Sequence, residues 1–152
     1  MSRVDKPQVL LVDDNEATCT LVTALLQREF TIEVASDGTE AVEHLRTKKY
    51  ASILLDLRMP GLDGYGVLEF LQATTPETLR RVLVLTASLS EREVARVKEF
   101  DVCGIVAKPF EVETLLGAVR SCAGLDERPI GRYFFSNGVI LLLAEVLRQR
   151  LG

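Results

Sequence analysis

The chain has 152 residues, a formal charge of -4, 47% hydrophobic and 26% charged residues. That is the balance of one ordinary globular domain, long enough to bury a core, and it excludes a disordered or collagen-like chain. The mild acidity gives no reason to expect nucleic-acid binding; Lys48-Lys49 and Arg80-Arg81 are too short to form a basic patch and read as solvated element ends.

The polar start, Met1 to Pro7, carries no signal-peptide core, and no apolar run reaches the length of a membrane span. The three cysteines, Cys19, Cys103 and Cys122, are an odd number without C-x-x-C spacing. They argue against a disulfide framework or a zinc site and read as small core residues in a reducing cytoplasm.

Gln8 to Val12 is a short apolar run that predicts a buried strand, ending in Asp13-Asp14-Asn15. Asp14 or Asn15 can cap the helix expected over Glu16 to Arg28, where apolar residues recur with helical period. Phe30 to Ala35 alternates as a strand, Ser36-Asp37-Gly38 forms a capped turn, and Thr39 to Lys48 predicts a second helix with His44 on its solvent side. Ser52-Ile53-Leu54-Leu55-Asp56 is a third strand, closed by Met59-Pro60-Gly61 and Asp63-Gly64. A helix over Tyr65 to Ala73 follows, then a strand from Arg81 to Thr86. Ser90 with Glu93 is a capping box opening a helix through Phe100. Val102 to Lys108 is a fifth strand, stopped by Pro109, and Glu111 to Cys122 a fifth helix.

Strands thus alternate with helices, and most strands are apolar throughout, as strands buried on both faces must be. Right-handed crossovers make this a parallel sheet with helices on both sides. The strand ends then share one edge. Asp13, Asp14 and Asp56 bring three carboxylates there, Thr86 a hydroxyl and Lys108 an ammonium group. Two carboxylates about 4 Å apart repel by about 4 kcal/mol at an effective dielectric near 20. Positive charge is needed among them, and an all-oxygen donor set suits Mg²⁺, with Mn²⁺ as an alternative. A carboxylate beside such a cation and a lysine can act as a nucleophile toward phosphorus.

At Val12-Asp13-Asp14, Leu55-Asp56-Leu57-Arg58-Met59-Pro60-Gly61-Leu62-Asp63-Gly64, Leu85-Thr86-Ala87 and Ala107-Lys108-Pro109-Phe110, the chain resembles the receiver domain of two-component response regulators. The resemblance implies a flavodoxin-like, doubly wound five-stranded parallel sheet of order 2-1-3-4-5. It implies that Asp56 accepts phosphate from a sensor histidine kinase or phosphotransfer protein. Asp14 would bind Mg²⁺ directly, Asp13 chiefly through water, and Asp56 and the main-chain carbonyl of Arg58 would complete the protein ligands. Lys108 would pair with a phosphoryl oxygen across a cis Lys108–Pro109 bond, and Thr86 and the Ala87 amide would bond the phosphoryl group. Many receivers place an aromatic residue three positions before the lysine; here Ile105 stands there, which puts the usual aromatic switch in doubt. Two rivals are a receiver-fold interaction module that signals without phosphate, and a phosphohydrolase with an aspartyl-phosphate intermediate. The second needs an Asp two residues after its nucleophile, where this chain has Arg58.

The expected division is a receiver over residues 1–123 and, over 124–152, a linker with an amphipathic helix from Ser136 to Leu151, stapled by Phe135 and Ile140. Its wide apolar face would fold on the receiver, pack on a second copy, or meet another protein or a membrane surface. It could equally be the first part of a further domain. Homodimers through the fourth and fifth helices are a further expectation.

Overall fold

The computed structural model describes residues 5–125, 133–136 and 139–142. Strands β1 (Gln8–Val12), β2 (Thr31–Ala35), β3 (Ser52–Asp56), β4 (Val82–Thr86) and β5 (Gly104–Ala107) alternate with helices α1 (Glu16–Leu26), α2 (Gly38–Thr47), α3 (Gly64–Thr74), α4 (Glu91–Val97) and α5 (Val112–Cys122). All five strands pair in parallel, in the order β2-β1-β3-β4-β5. The flavodoxin-like arrangement and the expected strand order are therefore both present.

Alternation along each strand divides the core into two layers. Leu10, Val12, Ile53, Leu55, Val82 and Val84 join residues of α2, α3 and α4 on one face. Val9, Leu11, Leu54, Leu83 and Leu85 join residues of α1 and α5 on the other. Every residue of β3 and β4 is buried, as central parallel strands require. The helices present an apolar face to the sheet in outline, but Leu21 of α1 and Val112 of α5 are 52% and 45% exposed.

Capping follows side-chain chemistry. Asn15, not Asp14, caps α1 by accepting from the Thr18 amide, which leaves Asp14 outside the helix-capping network. Asp37 caps α2 and Asp63 caps α3. Ser90 accepts from the Glu93 amide, but the Ser90 amide pairs with the Ser88 hydroxyl, so only half of the predicted capping box forms. α4 is also shorter than expected, ending at Val97 rather than Phe100. A 3₁₀ turn, Pro76–Arg81, leads into β4.

Three expectations need correction. Residues 133–136 and 139–142 are not part of a helix. They form strands β6 (Tyr133–Ser136) and β7 (Val139–Leu142), and extend the sheet to seven strands beyond β5. β6 runs parallel to β5 and antiparallel to β7, with Phe135 opposite Ile140 in register rather than joined to it as a helix staple. Tyr, Phe, Val and Ile favour strands, and the two residues between these strands in the sequence are Asn137-Gly138, a strong hairpin signal. The remainder of the expected helix, 137–138 and 143–151, lies outside the described residues.

The cysteines are the second correction. Cys103 and Cys122 are disulfide-bonded, and Cys19 alone is free. Their Cα atoms lie 5.8 Å apart because the start of β5 packs against the end of α5. Sequence spacing and an odd count could not register that approach. Disulfides are rare in reducing compartments, so these cysteines do not support a cytoplasmic placement.

The third concerns His44, which sits off the core face as expected, its side chain 32% exposed, but is partnered rather than alone. It is 3.2 Å from Glu33, and the Tyr50 hydroxyl, which donates to Glu33 at 2.7 Å, lies 3.4 Å from it. The periodicity of α2 placed His44 off the core face, but β2 and β3 bring Glu33 and Tyr50 to it.

Gly64 fixes the loop that follows β3. A Cβ there would sit 2.5 Å from the Asp56 carbonyl oxygen and 2.6 Å from the Leu57 Cα, both backbone atoms that cannot swing aside. Gly64→Ala should therefore lower unfolding free energy by about 1–3 kcal/mol. Urea denaturation measures this, and an unchanged midpoint would show that the loop yields freely.

Candidate functional site

The carboxyl ends of β1, β3 and β5 meet at one edge of the sheet. Asp13 and Asp14 follow β1, Asp56 ends β3, and Lys108 follows β5. Carboxylate oxygens of Asp13, Asp14 and Asp56 lie within 4.8 Å of one another. The Lys108 ammonium donates to Asp13 Oδ2 at 2.9 Å and lies 3.7 Å from Asp56 Oδ1. The side chains of Asp13 and Asp56 are almost fully buried, whereas Asp14 is exposed.

Backbone amides hold the two buried acids in place. Asp13 Oδ1 accepts from the Asn15 amide at 2.9 Å, and Asp56 Oδ1 accepts from the Arg58 amide at 3.3 Å. Burial, foremost, pushes the Asp56 carboxyl above the ordinary aspartate range; Lys108 opposes this, and Asp13 and Asp14 add to it. A single lysine thus leaves the cluster short of positive charge. Three hard oxygen donors, one of them open to solvent, fit a divalent cation such as Mg²⁺ that retains several waters.

Thr86 is buried at the end of β4, but its hydroxyl is engaged elsewhere. It donates to the Ser88 carbonyl at 2.9 Å and accepts from the Ser88 amide at 3.1 Å. The Thr86 carbonyl accepts from the Lys108 amide at 2.7 Å, tying the ends of β4 and β5 together. The Lys108–Pro109 bond is cis, as the resemblance implied. Ile105 is buried in the layer beneath α2, α3 and α4. The fold therefore gathers Asp13, Asp14, Asp56 and Lys108, holds Thr86 on the adjoining loop, and buries Ile105 in the core.

Two features beside this site escaped the sequence reading. The Cys19 thiol donates to the Asp13 carbonyl at 3.4 Å; burial and then Asp13 raise its pKa. On the other side Tyr65, the second residue of α3, is 94% buried by its 6% exposure, and the Arg96 guanidinium of α4 lies 3.6 Å from its ring centroid. The Tyr65 hydroxyl has no partner in good hydrogen-bond geometry among the described residues. Burial, then the neighbouring Glu93 carboxylate, pushes its pKa up to about 12. No local motif announces either contact, because each joins different elements.

Residues 9–120 match the family described as the response regulator receiver domain. The chain belongs to that family. It is 31% identical over 127 residues to a CheY chemotaxis protein of Rhizobium etli, covering 82% of this chain and 98% of that protein. It is 31% identical over 119 residues to the Bacillus subtilis transcriptional regulatory protein YkoG, covering 78% of this chain but only 51% of YkoG, so the chain spans about half of that relative's length. Among solved structures, it resembles the receiver domain of a sensor histidine kinase from Pseudomonas aeruginosa with magnesium coordinated in its active-site cleft. That match has a TM-score of 0.71 at 27% identity and covers 78% of this chain and 98% of that one. Chemotaxis protein CheY4 of Vibrio cholerae matches with a TM-score of 0.70 at 28% identity, covering 77% and 98%.

The raised Asp56 pKa has a consequence for stability. The folded state holds this proton more tightly than the unfolded chain, so the contribution is full at low pH and is lost as pH rises through the folded pKa. In metal-free buffer at neutral pH, Asp56→Asn should stabilise the protein by on the order of 1 kcal/mol, chiefly by relieving the burial of a charged carboxylate and secondarily its repulsion by Asp13 and Asp14. The gain should shrink as pH falls toward the ordinary aspartate value of 3.8. Urea midpoints across that range test it; a variant less stable than the parent at neutral pH would contradict the charge argument.

Proposed function

We propose that Asp56 accepts a phosphoryl group from a phosphohistidine donor and that the chain signals through protein contacts. The observation that carries this reading is the convergence of Asp13, Asp14, Asp56 and Lys108 at one strand edge. An Asp56 oxygen would attack phosphorus as the phosphorus–nitrogen bond of the donor breaks, leaving an acyl phosphate and a neutral imidazole. Mg²⁺, held by Asp14, by Asp56 and the Arg58 carbonyl, and by Asp13 chiefly through water, would supply charge to the phosphoryl oxygens. Lys108, already between Asp13 and Asp56, is placed to neutralise a further oxygen.

The donor is a sensor histidine kinase or phosphotransfer protein, and the chemistry is self-modification rather than small-molecule turnover. The reading puts the chain in the cytoplasm, where donors charged from ATP are found. It assigns residues 1–123 to the receiver and leaves 124–152 as an appendage, with α4 and α5 as the face for partners or a second copy.

Transmission starts at Thr86. To bond a phosphoryl oxygen on Asp56 together with the Ala87 amide, its hydroxyl has to leave Ser88, and the loop into α4 moves with it. Ile105 can fill space that Thr86 vacates but has no hydroxyl to exchange between states.

Incubation with acetyl phosphate and Mg²⁺ should add the mass of one phosphate to the intact protein, and Asp56→Asn should abolish the gain. The absence of any gain in the parent would refute the proposal. Thr86→Ala should still take up phosphate, but the amide shifts that phosphorylation induces in α4 should fall several-fold in NMR spectra. Full α4 shifts in that variant would remove Thr86 from the transmission route.

A further inference from the structure

The two short cationic pairs, Lys48-Lys49 and Arg80-Arg81, are separated in sequence by the whole of β3 and α3. The fold brings members of both to one cleft. The connection from α2 to β3 forms one wall and the 3₁₀ turn before β4 the other. Arg46, Lys48, Lys49 and Arg81 line this cleft of about 350 Å³, with Glu77 its single acidic lining residue. Such a concentration of positive charge is notable in a chain of net charge -4.

The walls are fixed independently of any ligand. The Arg81 guanidinium donates to the Tyr50 carbonyl at 3.0 Å, and the Ser52 hydroxyl donates to the Arg81 carbonyl at 3.1 Å. Tyr50 is buried, with its hydroxyl on Glu33. Lys48 is paired with Glu33, but Arg46, Lys49 and Arg81 meet no carboxylate among the described residues. Arg46 stacks 5.5 Å from the Phe70 ring centroid, a contact that leaves its N–H groups available. Three cations therefore face one carboxylate across a pre-formed gap.

We infer that this cleft binds a small molecule carrying phosphate groups, with at least two negative charges. Two guanidinium groups and an ammonium group match phosphate oxygens in geometry and charge. The size argues for a small molecule over an acidic protein segment: about 350 Å³ falls within the range of ligand pockets, whereas protein docking surfaces are broad. The cleft is at the opposite end of β3 from Asp56, about 13 Å along the strand. It is thus a second site, separate from the phosphoacceptor and independent of the reading given to it.

Calorimetric titration with inorganic pyrophosphate in EDTA, which prevents metal-bridged binding at the acidic cluster, tests the inference. The parent protein and Asp56→Asn should bind alike. The double variant Arg46→Glu, Lys49→Glu should raise Kd by at least about tenfold, while its urea unfolding transition stays close to the parent's, which shows that it is folded. Amide shifts on titration should centre on Lys48–Ala51 and Thr75–Arg81. No heat of binding in the parent, or equal affinity in the double variant, would overturn the inference. So would saturable binding of a polyglutamate peptide without binding of pyrophosphate, which would assign the cleft to an acidic protein.

Discussion

The Lys108 ammonium, shared between Asp13 and Asp56, is the interaction on which the site depends. It spans 95 residues of sequence, from the end of β1 to the end of β5, and both acids it serves are buried. Burying one carboxylate is unfavourable; burying two beside each other adds their repulsion. Only a fold that delivers a cation to the same edge tolerates the pair. The parallel sheet does so because all its strands end on one side, and the bond from the Lys108 amide to the Thr86 carbonyl sets where β5 ends relative to β4. One lysine does not balance three carboxylates. The remaining negative charge suits a divalent cation among the three carboxylates.

This arrangement also explains which parts were legible in the sequence. Asp13, Asp14, Asp56, Thr86 and Lys108 each follow or end an apolar run, so their shared edge follows from the alternation of strand and helix alone. The strand order came from the resemblance, since hydrophobic runs do not say which strand lies beside which. The disulfide, the Glu33–His44–Tyr50 cluster and the basic cleft were not legible for a common reason. Each joins side chains from elements that become neighbours only once helices and connections pack on the sheet. Lys48-Lys49 and Arg80-Arg81 were judged as isolated pairs, and pairing of β3 with β4 brought them together.

The tail failed differently, because the signal was local and was outweighed. Val139 to Leu142 supports a helical stripe when read with Leu143 to Leu151, and also reads as a short apolar strand. Asn137-Gly138 decides between these readings: it breaks a helix that starts at Ser136 and joins two strands separated by two residues. The consequence is structural. β5 has β6 on its outer side, so the edge that the five-stranded sheet would leave open is paired. The α4–β5–α5 face assigned to partners is consequently bordered by a further hairpin.

Ile105 directs attention to the other side of α4. An aromatic residue at that position would report on Thr86 from within β5; an aliphatic one fills volume without exchanging a hydrogen bond. Yet α4 does contact an aromatic ring, Tyr65, through Arg96. Tyr65 adjoins Gly64, whose close approach to the backbone of Asp56 and Leu57 fixes the loop after β3. α4 is thus bounded by two elements that begin at the site: the Thr86–Ser88 loop at its N-terminal end and the start of α3 along its side. Contacts therefore run from the neighbourhood of Asp56 to both sides of α4 without including position 105. An intact acidic site and an aliphatic residue at position 105 are thus compatible within one structure.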